Sequence, residues 1–142
     1  RHAISESVQS QGRLVAFDVA VARSAFAPFR DEAQALIEQH LPGARLCDFG
    51  HIGDGGVHLN MTVPDDTQAA QIEALREALY EAVVVRFSGS FSAEHGVGPY
   101  NQRFYDRFTE APLRGLCSAL QQALDPGLQL GNVWLGEAAL PA

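Results

Sequence analysis

The run Gly53-Asp54-Gly55-Gly56 sits between two apolar segments, and it constrains the fold more than any other stretch of the chain. Glycines beside an aspartate accept left-handed backbone at little steric cost, so the chain reverses tightly there. The flanking residues then pair antiparallel, which predicts one strand over 44–52 and its partner over 57–63. Another strand is predicted over 13–21, where Val15, Phe17, Val19 and Val21 alternate with Leu14, Ala16, Asp18 and Ala20. The first set is β-branched or aromatic throughout and should face the core.

Helical spacing fills the gaps. Ser24 is a candidate cap for a helix to about His40, with Phe26, Phe29, Ala33, Leu36, Ile37 and Leu41 as its apolar stripe. Asp65, Asp66 or Thr67 can cap the next, which carries Ile72, Leu75, Leu79 and Val83 and ends near Arg86. A short fourth strand is predicted over 88–92, then helices over 99–108 and 113–124. The order β-α-β-β-α-β, followed by two helices, predicts an α+β fold: a ferredoxin-like antiparallel sheet with helices on one face and two further C-terminal helices.

The 142 residues suit one domain, 1–142, and an apolar fraction of 46% supplies a core. Seventeen acidic against ten basic residues give a net charge of −7, which argues against a nucleic-acid partner. All the basic residues are Arg, a weak sign of a GC-rich, bacterial genome. No run of 18 apolar residues exists, so no spanning helix is expected. The start Arg1-His2-Ala3-Ile4 is neither an initiator nor a signal peptide, and reads as the interior of a longer protein. Cys47 and Cys117 are too few for a disulfide framework and read as buried free thiols.

The chemistry concentrates in two glycine-rich stretches. In the first, from Gly50 to Asn60, His51 precedes the turn and His58 follows it. A hairpin can bring both imidazoles to its mouth, where neutral nitrogen donors suit Zn²⁺, Mn²⁺ or Fe²⁺. Asn60, two residues past His58, projects from the same face. In the second, Ser92 to Gly98, Glu94 offers an oxygen ligand beside His95. On a regular strand those two would point to opposite faces, so a shared site needs a bend that Gly96 and Gly98 permit. The plainer alternatives remain open at this level: a surface hairpin with incidental histidines, and a Glu94–His95 pair that only caps the helix near Pro99.

These stretches carry a resemblance. Gly50–Asn60 resembles the pattern G-H-x-G-D-G-N-x-H-x-N, with Gly56 in place of Asn, and Ser92–Gly98 resembles S-x-E-H-G-[IV]-G. Both patterns belong to the C-terminal domain of FAD-linked oxidases of the vanillyl-alcohol oxidase type, near the D-lactate, glycolate and D-2-hydroxyglutarate dehydrogenases. Arg1 to Ser5 resembles the family's R-x-x-I-[ST] segment, and Phe17-Asp18-Val19 its Y-D-V strand.

The resemblance implies a substrate- and metal-binding cap domain of an FAD-dependent 2-hydroxy acid dehydrogenase, acting with its own FAD-binding domain. It implies a divalent metal, Zn or Mn, on His51, His58 and Glu94, His95 as the base, and Arg1, Ser5 and Asn60 on the substrate. Asn132 is assigned a place near the flavin. The residue types agree: a guanidinium at Arg1 forks onto a carboxylate, and a metal acidifies the 2-hydroxyl for a neutral His95. The flavin would accept hydride. With no G-x-G-x-x-G opening a helix after a strand, the chain alone is expected to be inactive.

Cytoplasmic placement is expected, with peripheral association at the inner membrane if electrons pass to a respiratory-chain acceptor, and a homodimer stays open. Three departures stand against the family pattern. Ala16 replaces a Lys that would meet a second substrate carboxylate, which disfavours a dicarboxylic substrate. Asn101 replaces another Lys, and the usual N-P-G-K-V survives only as Leu130-Gly131-Asn132-Val133-Trp134. They motivate a rival reading, a non-catalytic ferredoxin-like interaction module. A flavin-independent metal hydrolase on the same ligands is the third.

Overall fold

The computed structural model describes residues 12–131 and 133–136. Arg1, Ser5 and Asn132 lie outside the described residues. The chain divides into two compact units, Arg1–Glu94 and His95–Ala142.

The first unit is α+β. Its sheet has strands β1 (Arg13–Ala20), β2 (Arg45–Phe49) and β3 (Gly56–Val63), in the order β1-β3-β2, all antiparallel. Helix α1 (Phe26–His40) joins β1 to β2, and helix α2 (Ala69–Glu81) follows β3 and runs into a π turn, Ala82–Arg86. Val15, Phe17, Val19 and Val21 are buried as their alternation predicts, with Leu59, Met61, Phe29, Ile37, Leu75 and Leu79. The Tyr80 ring of α2 meets Phe17 edge-on at 6.0 Å, and the Arg30 guanidinium of α1 forks onto Asp48 at 2.5 and 3.0 Å. Asp48 and Phe17 both flank Leu59 in the pairing, so both helices cover that face of the sheet. The opposite face carries Ala16, Asp18, His58, Asn60, Cys47 and Phe49.

Several expectations change in detail. Ser24 lies within a 3-10 turn, Arg23–Ala25, and α1 starts after Ala25, which has no side-chain oxygen to offer as a cap. Gln68, rather than Asp65, Asp66 or Thr67, caps α2; its backbone N–H donates to the Gln71 side chain at 2.9 Å. The fourth strand contracts to one antiparallel bridge, Ser90 with Ala20, on the free edge of β1. Two local features oppose a longer ladder. Ser88 has a left-handed φ of 49°, and the Ser90 hydroxyl donates to the Ser92 carbonyl at 2.8 Å while accepting its N–H at 3.2 Å.

The second unit contains a 3-10 turn (Pro99–Asn101), α3 (Gln102–Phe108) and α4 (Ala111–Leu124). The segment after α4 is tied back by side chains. Gln102 donates to the Trp134 carbonyl at 2.7 Å and accepts the Trp134 N–H at 2.8 Å. Gln121 donates to the Val133 carbonyl at 2.8 Å and accepts the Leu135 N–H at 3.0 Å. Cys47 and Cys117 are both free and only part-buried, so neither is the fully buried thiol its neighbours suggested.

Candidate metal centre

Strand β2 stops at Phe49, three residues short of its predicted end, because the chain turns into a 3-10 turn, Ile52–Asp54. Gly55 closes that turn at φ 89°, and a Cβ there would lie 2.2 Å from the Val21 carbonyl oxygen. Only glycine fits this combination of left-handed backbone and close approach. His51 therefore stands in the loop rather than on the strand, while His58 sits on β3 beside the hairpin mouth.

The loop after the Ser90 bridge brings Glu94 to the same place. His51 Nδ1 is 2.8 Å from Glu94 Oε1, and His58 Nε2 is 3.3 Å from the same oxygen. Two residues of the hairpin and one from far along the sequence thus converge on a point. Each histidine nitrogen thus lies within hydrogen-bonding distance of one carboxylate oxygen, and imidazole nitrogen with carboxylate oxygen is a donor combination that divalent cations use. The His51 and Glu94 side chains are 47% and 41% exposed and His58 is 15% exposed, so the outer side of the cluster is open to a ligand.

The charge balance points the same way. Asp18, a residue the sequence reading left among the outward positions of its strand, lies opposite His58 in the β1–β3 register. Its Oδ1 is 3.3 Å from His58 Nδ1, and its Oδ2 accepts the Glu94 backbone N–H at 2.9 Å. Both ring nitrogens of His58 face carboxylate oxygens, yet a neutral imidazole carries one N–H. A cation between His58 Nε2 and Glu94 would satisfy the lone pair on each and offset two carboxylates in a part-buried pocket. The donor set of two imidazoles and a carboxylate fits Zn²⁺ or Mn²⁺. The Phe49 ring, tilted against His58 at 5.6 Å, backs the imidazole.

Asn60 is buried on the same sheet face, with its amide 3.4 Å from the His58 carbonyl. The register sets it between Ala16 and Cys47. His95 follows Glu94 in the chain, opens the second unit and is exposed. Gly96 and Gly98 just beyond it have left-handed φ of 71° and 60°. Asp18 alone among the clustered residues was missed, and its signal was available only as a carboxylate predicted on the same face as His58.

A family model described as FAD linked oxidases, C-terminal domain, matches residues 1–131. A D-2-hydroxyglutarate dehydrogenase from Xanthomonas citri pv. viticola is 37% identical over 116 residues, covering 80% of this chain and 25% of its own length. One from Stutzerimonas stutzeri is 32% identical over 114 residues, covering 77% of this chain and 24% of its own. A mitochondrial D-2-hydroxyglutarate dehydrogenase from Danio rerio is 29% identical over 130 residues, 89% of this chain and 23% of its own. The chain thus spans about a quarter of the length of these curated relatives.

Proposed function

The chain belongs to the C-terminal domain family of FAD linked oxidases, and on that premise we propose that it is the substrate- and metal-binding cap of an FAD-dependent 2-hydroxy acid dehydrogenase. The observation that carries the reading is the convergence of His51 Nδ1 and His58 Nε2 on Glu94 Oε1. In this reading residues 1–142 are one piece of a longer flavoprotein whose remaining length includes the FAD-binding domain.

His51, His58 and Glu94 hold the divalent metal. When bound, the metal supplies Lewis acidity toward the 2-hydroxyl, and FAD supplies a hydride acceptor. A ring nitrogen of His95 takes the hydroxyl proton as the C2–H bond breaks, so a 2-hydroxy acid leaves as a 2-oxo acid. The resemblance assigns the substrate carboxylate to Arg1 and Ser5, orientation of the substrate to Asn60, and a role toward the flavin to Asn132. Ala16, opposite Asn60 in the register, offers no charge to a second carboxylate, so a monocarboxylic acid is favoured. Arg1 in particular suits a planar carboxylate, because its fixed fork pairs both oxygens.

Calorimetric titration of the chain with Zn²⁺ and Mn²⁺ tests the metal reading. Micromolar or tighter binding is expected, lost in His58→Ala; no binding by the native chain and none by the flavin-bearing protein would favour an interaction module. In the flavin-bearing protein His95→Ala should abolish flavin reduction by D-lactate or glycolate, and retained reduction would remove His95 from its role. Faster reduction by D-2-hydroxyglutarate than by either would overturn the substrate preference drawn from Ala16.

Among the described residues no helix is long and apolar enough to cross a membrane.

A further inference from the structure

We infer that the leucine stripe of α4 is a docking surface for the flavin-binding part of the same polypeptide. The inference rests on the reading of this chain as one piece of a longer flavoprotein. Leu113, Leu116, Leu120 and Leu124 recur at intervals of three, four and four, so they share one side of the helix. All four are 53–78% exposed, and no residue of α4 is buried. Its half-buried positions, Arg114, Cys117, Ser118 and Gln121, lie roughly a quarter turn round the axis from the leucines.

Helix α4 thus meets its own unit through a mostly polar side. Arg114 donates to the Asp106 carbonyl at 3.5 Å and Gln121 to the Val133 carbonyl at 2.8 Å. The apolar side is turned outward, the reverse of a helix that stripes its apolar residues toward a core. An apolar groove of about 370 Å³ continues the stripe, walled by Leu120 and Leu124 on the helix and by Leu130, Val133 and Leu135 on the segment after it.

Three kinds of occupant are apolar enough to cover such a stripe. A lipid surface calls for Lys or Arg along the polar side of the helix; α4 carries one, Arg114, on a chain of net charge −7. A second copy needs about 800 Å² on each partner, drawn from about 20–30 residues, which is more than four leucines of one 14-residue helix provide. A domain of the same polypeptide needs less, because its linker keeps it at a high effective concentration and smaller interfaces between domains suffice. The curated relatives have the chain to supply one, since this sequence spans about a quarter of their length. The family match runs to residue 131, so α4 belongs to the part shared with those longer proteins.

Hydrogen–deuterium exchange of the α4 amides, compared between the 142-residue chain and the flavin-bearing protein, tests the docking. Exchange should be about tenfold slower or more in the flavin-bearing protein. The double variant Leu116→Gln/Leu120→Gln keeps residues of good helix propensity. It should leave the melting temperature of the 142-residue chain within about 2 °C, because both side chains are exposed there. In the flavin-bearing protein it should return α4 exchange to the rate of the chain alone.

Equal exchange in the two native proteins overturns the inference, whether α4 is protected in both or open in both, and that comparison needs no variant to fold. So does slowing that rises with the concentration of the chain alone, which marks a second copy. Slowing produced only by phosphatidylglycerol vesicles marks a lipid surface and overturns it as well. Slower α4 exchange in a flavin-bearing protein whose flavin no 2-hydroxy acid reduces overturns the dehydrogenase reading and leaves the docking surface standing; flavin reduction with equal α4 exchange does the converse.

Discussion

The two units are held together by different means. In the first, strand pairing and an apolar core do the work: Val19, Leu59, Met61, Leu75 and Leu79 are all fully buried. In the second, the 14-residue helix α4 has no buried residue, and Leu113, Leu116, Leu120 and Leu124 stand 53–78% exposed. Among the described residues, the buried side chains of this unit are Phe104 and Tyr105 of α3, and the segment after α4 is tied back by the amides of Gln102 and Gln121 and by the Tyr105 hydroxyl, which donates to the Leu135 carbonyl at 2.9 Å. A precise cluster of side chains needs neighbours that cannot shift, and close-packed cores provide that. The cluster of His51, His58 and Glu94 stands accordingly at the sheet of the first unit, with His58 on β3 and the other two in loops beside it.

The largest expected effect probes that contrast directly. Leu59→Ala opens a cavity in the core beneath the site and should cost about 2–5 kcal/mol. Far-UV circular dichroism melts would register it as a clear drop in melting temperature; a change below 1 °C would mean that the sheet unit is not cored as described. Next comes Gln121→Ala, which leaves the Val133 carbonyl and the Leu135 N–H without their side-chain partner and should cost about 1–3 kcal/mol. Trp134, the single tryptophan, reports it by fluorescence. An unaltered unfolding curve would sink the view that side-chain bonds to backbone hold this segment.

The units should also differ in pH dependence. Arg30 holds the Asp48 carboxyl below its usual range, chiefly through the forked hydrogen bonds. That stability is present above the ordinary carboxylate pKa of about 3.9 and is lost as pH falls through the lowered folded value. With Arg30 40% exposed, it amounts to about 1 kcal/mol or less. In the second unit burial pushes the Tyr105 hydroxyl up to about 12, with the neighbouring Cys117 thiol adding to the shift. Its contribution is complete below the unfolded value of about 10 and drains as pH rises through the folded one. Denaturant melts across pH should therefore show a shallower acid limb in Asp48→Asn and a shallower alkaline limb in Tyr105→Phe, and the reverse pattern would refute the assignment. The smallest effect is Leu116→Ala, expected within about 0.5 kcal/mol because the side chain is 58% exposed. A loss above 1 kcal/mol would show that α4 is packed in solution.

Much of the site was legible because its signals are local. A glycine-rich reversal between apolar runs implies a hairpin, and a hairpin with a histidine on each side implies two imidazoles at its mouth. Glu94 could be named from its glycine-flanked setting, though its arrival depended on a bend that the sequence merely allowed. Asp18 was not legible as a site residue, since a polar side chain at an outward position of an alternating strand looks like ordinary solvation. Cys47 and Cys117 misled for a related reason: apolar chain neighbours do not determine how deeply a side chain is covered.

The sequence alone determined the α+β class, the order of elements, the hydrophobic face of β1 and the identity of the ligand-type residues. These follow from periodicity, turn chemistry and side-chain donors, which act within a few residues of one another. Tertiary structure decided that β1 pairs with β3 in the register that puts Asp18 opposite His58. It also decided that the fourth strand stops at one bridge, and that Glu94 meets two histidines from the hairpin. Those outcomes depend on contacts between residues tens of positions apart, and only the packed chain brings them within hydrogen-bond distance.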